Sequence, residues 1–237
     1  MQSFLEELIR LMESQQQKIA KTVNTETKLK PIQMLLLQHA KEHLGNKEIS
    51  GNRGWASKTF QKAMSAAGWY MKAPWCAFFQ LYLWKLVFAI VWPDDYMLQK
   101  RIKKLGSGSS KKLWFNYKES TDFNTGKIPA IGAVAIWNYG KIKGDIIKLG
   151  AHGHVDACVS EVYDAENFKS IGGNVNDRVS ERVRDTRNHN NTIFLGFIYP
   201  PGISEETARI QLLISQQNKD RMTMEQNKDN PTLEGTR

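Results

Sequence analysis

Pro129-Ala130-Ile131-Gly132-Ala133-Val134-Ala135-Ile136-Trp137 marks the point where the pattern of the chain changes. Upstream, apolar residues recur at helical intervals of three and four; downstream, they come in short runs rich in β-branched and aromatic residues, punctuated by Gly and Asn. Working back from it, Pro31 opens a helix whose stripe is Ile32, Leu35, Leu36, Ala40 and Leu44, with Gly45 as its stop. A second helix over residues 55–67 carries Phe60, Ala63, Met64 and Ala67 and stops at Gly68. Nearest the N-terminus, Phe4, Leu5, Leu8, Ile9, Leu11 and Met12 predict a short amphipathic helix, followed by a polar linker to Lys30. Working forward, residues 131–137, 154–163, 168–171 and 192–199 read as strands, with turns at Asn138-Tyr139-Gly140, at 150–153 and at Gly172-Gly173-Asn174. From Ser204 a last helix uses Ile210, Leu213 and Ile214, and the polar residues beyond Gln217 are expected to fray. Helices first and strands second predict an α+β fold with an antiparallel sheet. The division expected is an N-terminal helix and linker (1–30), one main domain (31–203), and a C-terminal helix with a polar tail (204–237).

The chain has 237 residues, 41% of them hydrophobic and 24% charged, which is ordinary globular usage and argues against wholesale disorder. Two cysteines cannot form a disulfide scaffold, so each is either a reduced core residue or chemically employed. Acids at Glu6 and Glu7 stand where a Sec-type signal needs a basic region and an unbroken apolar run, so none is expected. The 33 Lys and Arg against 24 Asp and Glu give a net charge of +9. Much of the excess is local: Lys100, Arg101, Lys103, Lys104, Lys111, Lys112 and Lys118 lie in a stretch from Lys100 to Lys118 that holds no acid. Such a block points to an anionic partner: nucleic acid, acidic lipid or a cell-wall polyanion. Residues 75–92, between Pro74 and Pro93, have the length of a membrane span, but Lys85 at the centre costs about 2.5–3.5 kcal/mol on insertion scales. A buried core helix is the reading preferred here.

The candidate chemistry begins at Cys76. It follows Pro74-Trp75 and starts that apolar helix, where unpaired backbone N–H groups and the positive end of the helix dipole stabilise a thiolate. His154 lies in Gly153-His154-Val155-Asp156-Ala157-Cys158-Val159, where period-two alternation predicts His154, Asp156 and Cys158 on one face and the valines on the other. An imidazole on that polar face can take a thiol proton and return it to a leaving amine. Such a base needs a third group to fix its tautomer, and Asn174, at the end of the next strand, is suited to that task. Asp156 competes for the role, although side chains two apart on a strand run parallel rather than facing. Cys76, Cys158, His152 and His154 lack any usual structural-zinc spacing, and Gly106-Ser107-Gly108-Ser109-Ser110 lacks the Lys of a phosphate loop and reads as a flexible joint. No metal or cofactor is expected. Trp114, Phe115 and Tyr117 beside the basic stretch keep a single-stranded nucleic-acid reading open.

The order of the pieces carries more than any one of them. Leu44-Gly45-Asn46-Lys47-Glu48-Ile49, Gly51-Asn52, Pro74-Trp75-Cys76-Ala77-Phe78-Phe79, Gly132 to Trp137, Gly153-His154-Val155 and Gly172-Gly173-Asn174 follow one another in a series. From about Ile32 to Pro200 that series resembles the CHAP family, the cysteine- and histidine-dependent amidohydrolase/peptidases of the papain-like cell-wall hydrolase superfamily. The resemblance implies a papain-like fold with the nucleophile at a helix start packed on an antiparallel sheet. It implies Cys76 as nucleophile, His154 as general base and acid, Asn174 as the orienting residue and no cofactor, with Glu48 and Asn52 in an upstream motif on the cleft wall. The activity implied is cleavage of a peptidoglycan amide, either as an N-acetylmuramoyl-L-alanine amidase or as a stem-peptide endopeptidase, through a thioester. Asp156 departs from the family, which often carries a small residue there. On this reading the block from Lys100 to Lys118 recruits the enzyme to anionic cell-envelope polymers. The enzyme reaches the wall by lysis or dedicated delivery, with a delivery or immunity partner to match. The competing readings are a related acyltransferase, a membrane-associated non-enzymatic protein built on residues 75–92, and a nucleic-acid-binding module, the last disfavoured once the Cys-His series is in place.

Overall fold

The structure, a computed structural model, describes residues 30–144, 146–189 and 191–229, except for the side chains at 221, 222 and 224–229. The helix expected near residues 4–12, most of its linker and the tail from 230 lie outside the described residues. Among those described the fold is α+β, with six helices and one six-stranded antiparallel sheet. Five helices come first: α1 Pro31–Glu42, α2 Lys58–Ala66, α3 Cys76–Val91, α4 Tyr96–Leu105 and α5 Ser110–Lys118. The strands follow: β1 Thr125–Gly126, β2 Val134–Lys143, β3 Ile146–Val162, β4 Asn167–Gly172, β5 Ser180–Asp185 and β6 Thr192–Ile198, ordered β1-β6-β2-β3-β4-β5. The sixth helix, α6, is Glu205–Asp229. Residues 30–208 form one compact body, and the rest of α6, from Arg209, belongs to a second unit.

Local chemistry explains the helix starts. Gln33 accepts the Lys30 backbone N–H at 3.0 Å through its Oε1 and donates from Nε2 to the Ile131 carbonyl at 2.8 Å, so the residue that caps α1 also ties it to the approach to β2. Ser57 caps α2 by accepting the Phe60 N–H at 3.3 Å, and Asp95 caps α4 by accepting the Leu98 N–H at 2.8 Å. The expected joint at 106–110 is the break between α4 and α5, where Ser109 caps the second helix by accepting the Lys112 N–H. The basic block is therefore two short helices that bury Ile102, Leu113, Trp114 and Tyr117.

Helix α3 is the core helix. Phe79, Leu83, Trp84, Val87 and Phe88 are fully buried, packed with Ile136, Val155 and Ile171 of the sheet and with Leu36 of α1. Lys85 is half-buried and donates to the Ala66 carbonyl at 3.2 Å. No helix among the described residues is long and apolar enough to cross a membrane.

Three expectations are corrected. The turns placed at 138–140 and 150–153 are instead a continuous hairpin, with β2 running to Lys143 and β3 starting at Ile146. The register shifts between Asn138 and Gly140, and the buried Asn138 amide repairs the ladder there. It accepts the Gly150 N–H at 2.7 Å and donates to the carbonyls of His152 (2.9 Å) and Gly150 (3.3 Å). Strand β5 was not expected, because four of the six residues in Ser-Glu-Arg-Val-Arg-Asp are charged and its one valine, Val183, is exposed at the sheet edge. Helix α6 does not fray at Gln217 but continues to Asp229, through Lys, Arg, Met, Gln and Glu residues of good helix propensity and no Gly or Pro.

Candidate active site

Cys76 is the first residue of α3, so its backbone N–H has no partner within the helix. What fixes the helix start lies one residue earlier. The Trp75 ring is fully buried, and its indole N–H donates to Oε2 of Glu48, itself buried. Glu48 Oε1 accepts the Asn52 backbone N–H at 3.0 Å, so one carboxylate joins the upstream loop to the residue before Cys76. Gly173, just past β4, closes the same corner: a Cβ there would fall against the Trp75 ring and Phe79. Truncating Glu48 strands the indole N–H in a dry site. Glu48→Ala is expected to cost about 2–3 kcal/mol, because bonds to a charged acceptor are lost and a buried donor stays unpaired. Chemical denaturation reads this directly, and a variant as stable as the parent would show that the carboxylate is no latch.

His154 sits opposite Trp137 in the β2–β3 register, and its Nε2 bonds Oδ1 of Asp156 at 2.8 Å. Asp156 is held in turn: Oδ2 accepts from Ser170 Oγ at 2.7 Å and from Arg184 Nε at 2.8 Å. The Arg184 guanidinium lies 4.8 Å from the Trp137 ring centre, a cation–π contact that steadies it. Asp156 pairs with Gly172 of β4, and a Cβ on Gly172 would overlap the carboxylate, so this strand position must be bare. Burial disfavours the His154 charge, yet Asp156, with a contribution from the Cys76 sulfur, overrides it and raises the imidazole to about 9. Burial likewise opposes charge on Asp156, but His154 and Arg184 hold its carboxyl well below the usual range. At neutral pH the pair is an imidazolium on a carboxylate beside the Cys76 sulfur. Nε2 is occupied by Asp156, leaving Nδ1 as the ring nitrogen available to the sulfur.

The side chain bonded to His154 is Asp156, whereas Asn174, expected in that place, makes no bond to the imidazole. Asn174 lines the same cleft as His154, but its amide donates to Asn52 Oδ1 at 3.4 Å and its backbone is left-handed, with φ 58°. Side chains two apart on this strand do meet, because strand side chains lean along the chain direction and an imidazole is long enough to reach the next carboxylate on its face. Cys158 is corrected as well. The register shift between Asp156 and Cys158 inserts one residue into β3, so Cys158 pairs with Ile171 on the core face, joining Val155 and Ala157. Burial pushes its thiol up to about 12. Two of the predicted residues, Cys76 and His154, are brought together; Asn174 borders them and Cys158 is inert.

The cleft beside His154 encloses about 530 Å³. Sequence reasoning missed four of its lining residues. Trp137 and Tyr139 come from β2, and the Tyr139 hydroxyl is raised by burial and by the proximity of Cys76. Arg182 and Arg184 come from β5, where register partners Ser170 and Phe168 place both on the Asp156 face. The alternation in Ser180-Glu181-Arg182-Val183-Arg184 is the signal that would have found them. No family model, curated protein or solved structure matches this chain.

Proposed function

We propose that the protein is a cysteine-dependent hydrolase of peptidoglycan amide bonds with a papain-like catalytic arrangement. The observation that carries the reading is a helix-start cysteine beside a histidine whose far nitrogen is held by a buried, fully bonded aspartate. His154 holds the proton that Cys76 gives up, as the imidazolium stabilised by Asp156, and the thiolate attacks the amide carbonyl. The Cys76 backbone N–H, unpaired at the helix start, faces the developing oxyanion. Collapse of the tetrahedral adduct breaks the C–N bond, the His154 imidazolium supplies the proton to the departing amine, and a thioester remains on Cys76. His154, now neutral, then activates the water that hydrolyses it. The substrate class rests on the ordered series of short motifs that resembles CHAP enzymes.

An anionic cell-envelope polymer as docking partner fits a second feature. Lys85 joins Lys100, Lys103 and Lys104 around a shallow pocket walled by Tyr96 and Gln99. Burial, then the neighbouring Lys103, lowers the Lys85 ammonium, as expected where like charges gather without an acid. The test of the whole reading is incubation of purified sacculi with the protein, followed by amino-group assay and mass spectrometry of the soluble muropeptides. Expected are new amino termini matching one bond type. An unchanged muropeptide profile would remove peptidoglycan as the substrate, and transfer to an added amine in place of water would make the enzyme an acyltransferase.

A further inference from the structure

The cleft holds a cation that the catalytic arrangement leaves unused. Arg184 is committed to Asp156, and Asp185, the cleft's other carboxylate, accepts from His189 at 2.7 Å and from Arg187. Arg182 stands between Ser180 and Arg184 on the same strand face, lines the cleft with His154 and Tyr139, and its guanidinium has no ion pair among the described residues. Its Nε is buried with no hydrogen-bond partner. A buried donor of this kind is costly unless something bonds it. Burial, and then the charge of Arg184, lowers the Arg182 guanidinium, against a smaller opposing pull from Asp156.

We infer that Arg182 is the anchor of a carboxylate subsite, and that the substrate carries a free carboxylate close to the amide that Cys76 attacks. A planar guanidinium with free N–H groups matches a carboxylate in a two-bond fork, in a cleft that the Trp137 ring also lines. The inference rests on Cys76 being the cleft's nucleophile and narrows the substrate to acidic acyl compounds, such as a peptide with an unamidated acidic residue or a free C-terminus.

Alkylation of the intact protein tests it without a known substrate. The Cys76 sulfur displaces iodide from iodoacetate or from neutral iodoacetamide, and peptide mass spectrometry locates the product and separates it from the buried Cys158. In Arg182→Gln the ratio of the iodoacetate rate to the iodoacetamide rate is expected to fall about tenfold, from loss of a charged bond. Arg182→Lys, which keeps the charge, is expected to recover part of that fall. On the unmutated protein, N-acetylglycine is expected to protect Cys76 from iodoacetamide, whereas N-acetylglycinamide is not. An unchanged ratio in Arg182→Gln, or equal protection by the two probes, overturns the carboxylate subsite while leaving the nucleophile in place. Failure of both reagents to label Cys76 in the unmutated protein overturns the nucleophile, and the subsite with it.

Discussion

Cys76→Ala is expected to lower release of amino groups from sacculi by at least about 10⁴-fold, because members of a nucleophile–base unit act together and removing one removes the covalent route. What remains is a histidine able to polarise water, without the thioester that splits the reaction into two easier steps. The loss belongs to the chemistry rather than the fold. Cys76 is a small, nearly buried side chain at a helix start held by Trp75, Glu48 and Gly173, and none of those contacts uses the sulfur. Removing one buried sulfur costs on the order of 1 kcal/mol. Cys158→Ala is the matched control: the same deletion in the core, beside Ile171 on the face away from the cleft, costs a comparable amount of stability and is expected to leave turnover within about twofold, as substitutions remote from a site do. Amino-group release by Cys76→Ala within tenfold of the parent would show that another group does the chemistry.

Much of the architecture was legible because it rests on long apolar periodicities. The stripe on Ile32, Leu36 and Ala40 gave α1, and the unbroken apolar run after Cys76 gave α3 as a core helix. What escaped was held together by polar atoms. The β2–β3 hairpin depends on the Asn138 amide, so its sequence looks like a turn while its backbone is a ladder. Strand β5 is an edge whose inward residues are arginines, and hydrophobic alternation cannot detect it. Cys76 and His154 were readable from position, at a helix start and on a strand face. Asp156 could be named as a competitor but not preferred, because its contacts depend on Gly172 leaving room and on Ser170 and Arg184 arriving from strands 14 and 28 residues away in sequence. The short motifs carried the order of the site, and the register of β3, β4 and β5 supplied its electrostatics.

That dependence makes Asp156→Asn the most informative substitution after the nucleophile. Asparagine keeps the shape and can still accept from His154, but it removes the charge that overrides burial, so the His154 imidazole is expected to drop from about 9 to its ordinary 6.5 or below. At pH 7.5 the proton donor for the leaving amine is then largely absent, and kcat is expected to fall on the order of 10²–10⁴-fold, the range seen when a triad's orienting carboxylate is neutralised. Stability responds too. Removing one partner of a buried ion network leaves Arg184 uncompensated and makes His154 shed its proton, at a cost of about 3–5 kcal/mol. The sign of the pH dependence follows from the two directions. His154 is raised in the fold, so its contribution is complete below 6.5 and is lost as pH rises through about 9. Asp156 is lowered, so its contribution is present above 3.8 and is lost as pH falls beneath that value. The parent protein should therefore be most stable between these limits and should weaken from pH 6.5 to 9, whereas Asp156→Asn should lose most of that alkaline slope. Thermal unfolding across this range, beside the pH profile of kcat, separates the two roles. A variant that keeps the parent's slope and activity would mean that His154 is held by something other than Asp156. A variant that loses the slope but keeps kcat would make the aspartate a stabilising group alone, with proton delivery to the leaving amine arranged from elsewhere in the cleft.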